Sequence, residues 1–345
     1  MTAPAKRLLL SLLLVLLCLA TIGCDGNSSN PGGHQTPTAI VLPKPTLPPG
    51  VQFPTLAELA SRFPRLHLLE VHGAPIFDQS SGVPLSYYHG PVMHTSTSYA
   101  IFWEPPRLQD GTLTHVNPTY NSLIERYLRD IGGSSLYKVT TQYYDQKGHI
   151  TNSSALGGVW VDHSSYPASA CRDVYTPHGC LSDVQIQAEV TKAMRINKWT
   201  ASLTHLFFVF TAWGEGSCYD SANCAFSLYC AYHSYYSLNK QQVLYANMPY
   251  TATVLDNCGL PVSPNHDIDA DSTISVVSHE QMETVTDPYI DAWRDSSYNE
   301  IGDKCAWNFG PPVLDKGLAN VEWNGHFYLV QQEWSNATRG CTLRG

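Results

Sequence analysis

His205-Leu206-Phe207-Phe208-Val209-Phe210 is an almost unbroken apolar run with no turn former inside it. A run this short and this apolar reads as a buried strand, the strongest in the chain. Upstream, Ser182 caps a helix that runs to about Lys198. Downstream, Leu228 to Tyr232 and Val243 to Met248 read as further strands. Towards the N-terminus, Tyr99-Ala100-Ile101-Phe102-Trp103 is another buried strand. Asn117-Pro118 then opens a helix carrying Leu123, Ile124, Tyr127, Leu128 and Ile131, which stops at Gly132-Gly133. Val139 to Tyr144 is expected as a strand and Gly148 to Cys180 as loop. A short helix is expected at Thr55 to Arg62 and a last strand near Phe327 to Gln331. Strands that alternate with helices give an α/β fold: one mixed-sheet, layered domain with packed helices. No composition break or internal repeat divides residues 51–345.

The chemistry concentrates in one predicted helix, Asp271 to Asp287. It contains Ser278-His279-Glu280-Gln281-Met282-Glu283-Thr284-Val285-Thr286-Asp287, and Pro288 favours its end. Asp271 or Ser272 is the expected cap. At 100° per residue, His279, Glu280, Glu283 and Asp287 share one sector of roughly 100°. Ile274, Val277, Met282 and Val285 fall outside it and can face a core. The arrangement resembles the zincin helix H-E-x-x-H with its second His replaced by Glu. On that reading His279 and Glu283 are zinc ligands and Glu280 is the general base that activates a metal-bound water. The plainer reading is a polar helix face.

A third ligand is expected a loop downstream, in Asn299-Glu300-Ile301-Gly302-Asp303-Lys304-Cys305, with Asp303 the first choice and Glu300 the second. A set of His, Glu and Asp is oxygen-rich, so calcium or manganese could replace zinc. Cys305, if bridged, would pin that loop. Asp267, Asp269 and Asp271 lack the Gly and Glu of a calcium loop and read as capping and turn residues.

The net charge of −9 argues against a nucleic-acid partner. No glycine-rich phosphate loop follows a strand, which disfavours a nucleotide. Gly-x-Ser-x-Gly is also absent. Lys6 and Arg7 precede an apolar run from Leu8 to Ala20, then Thr21-Ile22-Gly23-Cys24. This reads as a signal peptide over residues 1–23 of lipoprotein type, with Cys24 lipidated, or as ordinary secretion. The segment 24–50 is rich in Asn, Ser, Pro, Gly and Thr and reads as a disordered tether. The expected location is extracytoplasmic, on a membrane through a lipid anchor or secreted. Cys171, Cys180, Cys218, Cys224, Cys230, Cys258, Cys305 and Cys341 form an even set, most simply four disulfides in an exported chain. Cys171 with Cys180 is a plausible local loop; the full connectivity stays open.

Three segments together resemble the exordium, or phosphate-induced protein, family. Tyr88-His89-Gly90-Pro91-Val92 precedes the strand ending Phe102-Trp103. Cys230-Ala231-Tyr232-His233 precedes Tyr245-Ala246. Pro264-Asn265-His266-Asp267-Ile268-Asp269-Ala270-Asp271 precedes the helix and Thr286-Asp287-Pro288. The resemblance covers roughly residues 85–345. It implies an exported protein associated with the cell wall, with no settled biochemical activity, and it does not supply the metal site. His89 and His233 lie in the matching segments; each completes the site or contacts substrate, or is a buried His satisfied by backbone.

Two functions follow. One is a metal-dependent, peptidase-like hydrolase with Glu280 as base. The other is a non-catalytic wall or carbohydrate-associated protein, in which Trp293 and Trp307 would stack on sugar rings. Convergence of the carboxylates with His279 around an open coordination position would favour the first. Carboxylates that are scattered, or paired with Lys or Arg, would favour the second.

Overall fold

The run around Phe208 lies inside a six-stranded sheet. The structure, a computed structural model, describes residues 66–72, 82–221 and 223–345. In chain order the sheet strands are β1 (Leu66–Glu70), β2 (Ser96–Trp103), β3 (Ser154–Asp162), β4 (His205–Thr211), β5 (Tyr229–Leu238) and β6 (Gln241–Met248). They lie side by side in the order β1-β5-β6-β4-β2-β3. The β6-β4, β4-β2 and β2-β3 pairs are parallel; β1-β5 and β5-β6 are antiparallel. The sheet is therefore mixed. Ala100, Ile101 and Phe102 on β2, and Phe207, Phe208 and Val209 on β4, are fully buried. Strands covered on both faces have no reason to alternate apolar with polar, which is why these runs are continuous.

Among the described residues three long helices cover the sheet: α1 (Tyr120–Asp130), α2 (Asp183–Asn197) and α3 (Ile268–Thr286). Successive side chains on a strand point to opposite faces, so two neighbours on β5 assign α2 and α3 to their sides. Tyr232 donates to Asp183 in the first turn of α2 at 2.7 Å. His233, the next residue, meets Glu280 on α3 at 3.2 Å. Helix α1 shares the α3 face: Tyr120 donates to Thr273 at 3.0 Å and Tyr127 to Gln281 at 3.4 Å. The result is an α/β sandwich, and Ser182 caps α2 in a capping box with Gln185 as expected.

Some expectations are corrected. Val139 to Tyr144 is not a strand; Tyr137–Gln142 is a 3-10 helix. Its backbone closes locally: Tyr137 N–H donates to Ser134 Oγ at 3.0 Å and Thr140 Oγ1 to Tyr137 O at 2.8 Å. The region 148–180 is not all loop, because it contains β3. Two glycines hid that strand. A Cβ on Gly157 would lie 2.4 Å from Thr97, and one on Gly158 would lie 2.7 Å from Trp199. The ladder is irregular there, between Ser98 and Tyr99. At the C-terminus a hairpin pairs Val321–Trp323 with His326–Tyr328 in place of a strand reaching Gln331. Its turn, Asn324-Gly325, holds both residues at positive φ, as a two-residue hairpin turn requires.

The cysteines pair as Cys171–Cys180, Cys218–Cys224, Cys230–Cys258 and Cys305–Cys341. Among the described residues no helix is long and apolar enough to cross a membrane. The apolar leader, Cys24, the tether and the expected helix at Thr55 to Arg62 lie outside the described residues.

Candidate metal centre

Helix α3 is buried all the way round from Ala270 to Thr286. It starts earlier than the expected cap. Asp267 is the N-cap and accepts from Ala270 N–H at 3.1 Å. Asp271 lies inside the helix and accepts from Ser263 and Asn265 instead. Asp269 accepts from Tyr250, so the three alternating aspartates serve as cap and turn ties. At the far end Asp287 accepts the N–H groups of Asp291 and Ala292 at 2.7 and 2.6 Å. On one side of α3, Gln281 donates to Ser98 and Ser154. Another side carries His279, Glu280 and Glu283, all with no solvent exposure.

There the two histidines and four carboxylates converge. His279 Nε2 lies 3.0 Å from Glu283 Oε1 and 3.6 Å from Asp303 Oδ1. These contacts are close enough for charge but lack hydrogen-bond alignment, so neither ring nitrogen of His279 is hydrogen-bonded. From β5, His233 Nδ1 lies 3.2 Å from Glu280 Oε2 and 3.6 Å from Glu283 Oε2. His233 Nε2 lies 3.6 Å from Glu300 Oε2. Two ligand sets result: His279, Glu283 and Asp303; and His233, Glu283 and Glu300. Tetrahedral bonds of 2.0–2.2 Å place ligand atoms about 3.4 Å apart, and the spacings of 3.0 and 3.6 Å about His279 Nε2 lie on either side of that value; the two His233 spacings are on different ring nitrogens.

The loop that supplies Glu300 and Asp303 is held from several sides. Glu300 N–H donates to Asp303 Oδ2 at 2.8 Å, and Asp303 N–H donates to Glu283 Oε1 at 2.9 Å. Trp334 N–H donates to Ile301 O, and the Cys305–Cys341 bridge pins the loop as expected. Gly302 is the contact point with the helix. A Cβ there would lie 2.6 Å from His279 Nδ1 and 3.0 Å from Glu283 Oε1. Lys304, next to Asp303, extends to Asp295 at 3.2 Å and over the Trp334 ring.

The electrostatics follow from packing like charges in a dry place. Burial works against a charged His279, yet Glu283, Asp303 and Glu280 override it and raise its pKa well above the ordinary value. Glu280 is raised well above the usual carboxylate range, first by burial; His279 opposes the rise, and Glu283 and Asp303 add to it. A field that retains a proton on a buried imidazole also favours a cation.

Two acids in this field were not picked out from the sequence. Glu333 and Glu70 are buried, and neither carboxylate is hydrogen-bonded. Burial raises both pKa values; Glu283 and Asp303 raise Glu333 further, and Asp303 raises Glu70 further. Their only sequence signal is an acid beside apolar strand residues, Leu68-Leu69-Glu70 and Glu333-Trp334.

The expected residues divide plainly. His279, Glu280, Glu283, Asp303, Glu300 and His233 come together. Glu300 and Asp303, weighed as alternatives, both take part, each facing a different histidine. His89 does not join them. It is exposed, at positive φ, beside the Tyr87 ring. Trp293 is also corrected: it is buried against Tyr87, Tyr143 and Tyr144, with no free face for a sugar. Trp307 packs against His72 and donates to Glu70 O.

Comparison with known proteins gives one partial likeness. Over 95 residues the chain is 33% identical to Protein EXORDIUM-like 3 of Arabidopsis thaliana. The match covers 23% of this chain and 28% of that protein, so the chain spans little more than a quarter of the relative it matches. No protein-family model matches the chain, and no solved structure does. The structure shows why one motif of the resemblance is spelled as it is. Tyr88 and Gly90 pair by backbone with Ala292 and Asp291, and a Cβ on Gly90 would fall inside the Asp291 carboxyl. The turn after α3 therefore requires glycine at position 90.

Proposed function

We propose that this is an exported, exordium-like protein whose buried cluster binds a divalent cation through His279, Glu283 and Asp303, and that the site serves metal-assisted hydrolysis of a peptide-like substrate. Export to an extracytoplasmic location, with Cys24 as a lipid anchor and a globular domain from about residue 51, is part of the same reading; the four disulfides support it. The observation that carries the proposal is His279. It is a fully buried histidine with neither nitrogen hydrogen-bonded, its Nε2 facing two carboxylates. Among the described residues, His279 and His233 are charged partners of these carboxylates. A bound cation supplies Lewis acidity; zinc fits the donors, and manganese or calcium are the alternatives. Glu280 is the base that takes the proton of the attacking water.

Complete burial of the cluster favours a second reading, in which the cation only stabilises the fold and the protein is a non-catalytic wall or glycan-associated component. A screen of peptide substrates with the reconstituted protein separates the two. Cleavage lost in Glu280→Gln, with metal content unchanged, supports hydrolysis. Cation binding without cleavage, accompanied by a chelator-sensitive melting temperature, supports the second reading.

A further inference from the structure

Two of the four disulfides lie side by side. Cys171–Cys180 and Cys218–Cys224 are separate bridges, yet Cys180 Sγ is only 3.4 Å from Cys218 Sγ. The short strands Cys180–Ser182 and Gly216–Cys218 pair in parallel and bring the two bridges together. The Sγ atoms of Cys171, Cys180 and Cys218 all lie within 4.8 Å of one another. Cys218 Sγ and Cys224 Sγ also approach the carbonyl of Arg172, the residue next to Cys171, at 4.0 and 3.7 Å. Burial separates the four. Cys180, Cys218 and Cys224 are buried, whereas Cys171 is half-buried and lines an open cleft of about 570 Å³. Ala170, Cys171 and Arg172 line that cleft from one segment, and Cys218, Tyr219 and Asp220 from another.

We propose that the paired bridges form a thiol–disulfide exchange site, at which a small thiol entering the cleft opens Cys171–Cys180 and the second bridge then exchanges partners with the first. The site uses none of the residues of the cation cluster. Attack falls on the sulfur that solvent reaches, and the exposed Arg172 guanidinium beside it favours an incoming thiolate. The thiolate bonds to Cys171 Sγ as a mixed disulfide, and Cys180 leaves with the bonding pair. The Cys180 thiolate, already 3.4 Å from Cys218 Sγ, attacks it and expels the Cys224 thiolate. A disulfide is about 2.05 Å long, so the two sulfurs close by roughly 1.4 Å, at a residue that ends its strand and whose own bridge is opening. Cys224 then attacks the mixed disulfide, forms Cys171–Cys224 and returns the small thiol. Two bridges are lost and two are made, so no oxidant or reductant is consumed. The exchange changes the cleft. In the original pairing each lining segment is closed on itself; in the exchanged pairing the two segments are stapled to each other.

The test maps the bridges of the full chain by acid quenching, alkylation, non-reducing digestion and mass spectrometry. In Cys171→Ser, Cys180 has lost its partner and should take Cys218 without any added thiol, leaving Cys224 alkylated. In the wild type, less than one equivalent of 2-mercaptoethanol should produce a Cys180–Cys218 peptide, while Cys230–Cys258, fully buried at both ends, stays intact. If the variant does not fold, the wild-type map decides alone. Cys218–Cys224 retained with Cys180 alkylated in the variant would overturn the exchange, as would a treated wild type with no Cys180–Cys218 peptide. Opening of Cys230–Cys258 at the same thiol level would overturn selective entry at Cys171.

Discussion

Tyr232 and His233 are neighbours on one strand, and each opens onto a buried acidic site on its own side of the sheet. On the α2 side the acid is Asp183. Tyr232, Tyr245 and Gln187 all donate to it. Burial raises its pKa, and those three donors pull it back. On the α3 side the acids face other acids and two histidines, and among the described residues the carboxylates of Glu333 and Glu70 are not hydrogen-bonded. Burial alone does not distinguish a functional acid from a structural one, since both sites are dry. The difference is in the partners: Asp183 is surrounded by hydroxyl and amide donors, whereas the acids beside α3 face one another and two histidines as well as backbone N–H groups.

The strongest way to break this contrast is Glu283→Gln. Removing the shared carboxylate should abolish cation binding, read by elemental analysis, while Asp183→Asn should leave binding unchanged. Equal binding in wild type and Glu283→Gln would end the distinction. Next in size is Asp183→Ala. It strands two buried tyrosine hydroxyls and should lower stability by about 2–4 kcal/mol in urea unfolding. Gly302→Ala probes the contact between loop and helix. Its Cβ must displace His279, so cation affinity should fall about 10–100-fold, the usual effect of disturbing a ligand's orientation. A calorimetric titration reads that loss.

The smallest expected effect has the opposite sign. Glu333 has its pKa raised by burial, with Glu283 and Asp303 adding to the rise. In the metal-free protein the folded state therefore keeps a proton that the unfolded chain releases. Stability then falls as pH rises above the ordinary glutamate range. Glu333→Gln should recover on the order of 1 kcal/mol of metal-free stability at pH 7 and nothing at pH 4. A loss at pH 7 would mean that Glu333 behaves like Asp183.

Much of the fold was readable because the deciding signals are local. The apolar runs of β2 and β4, the Ser182 cap and the Pro288 stop are each written within a few residues. The same holds for part of the site. His279 and Glu283 are set four apart by the helix, and Asp303 and Glu300 follow within one short loop. Where the signal depends on packing, it was lost. Gly157 and Gly158 erase the strand pattern of β3 because neighbouring side chains occupy the space a Cβ would need. Glu70 and Glu333 lie far from α3 in sequence and reach its field only through tertiary packing. Trp293 and His89 misled in opposite directions: an aromatic expected at a binding surface is core, and a histidine in a matching motif is out in solvent.

The most direct test of the account is the metal content of the purified protein by elemental analysis, for wild type and His279→Ala, after reconstitution with zinc, manganese or calcium. The account predicts at least one divalent cation per chain in the wild type and a reduced content in the variant. A folded wild type that retains none of the three would contradict it.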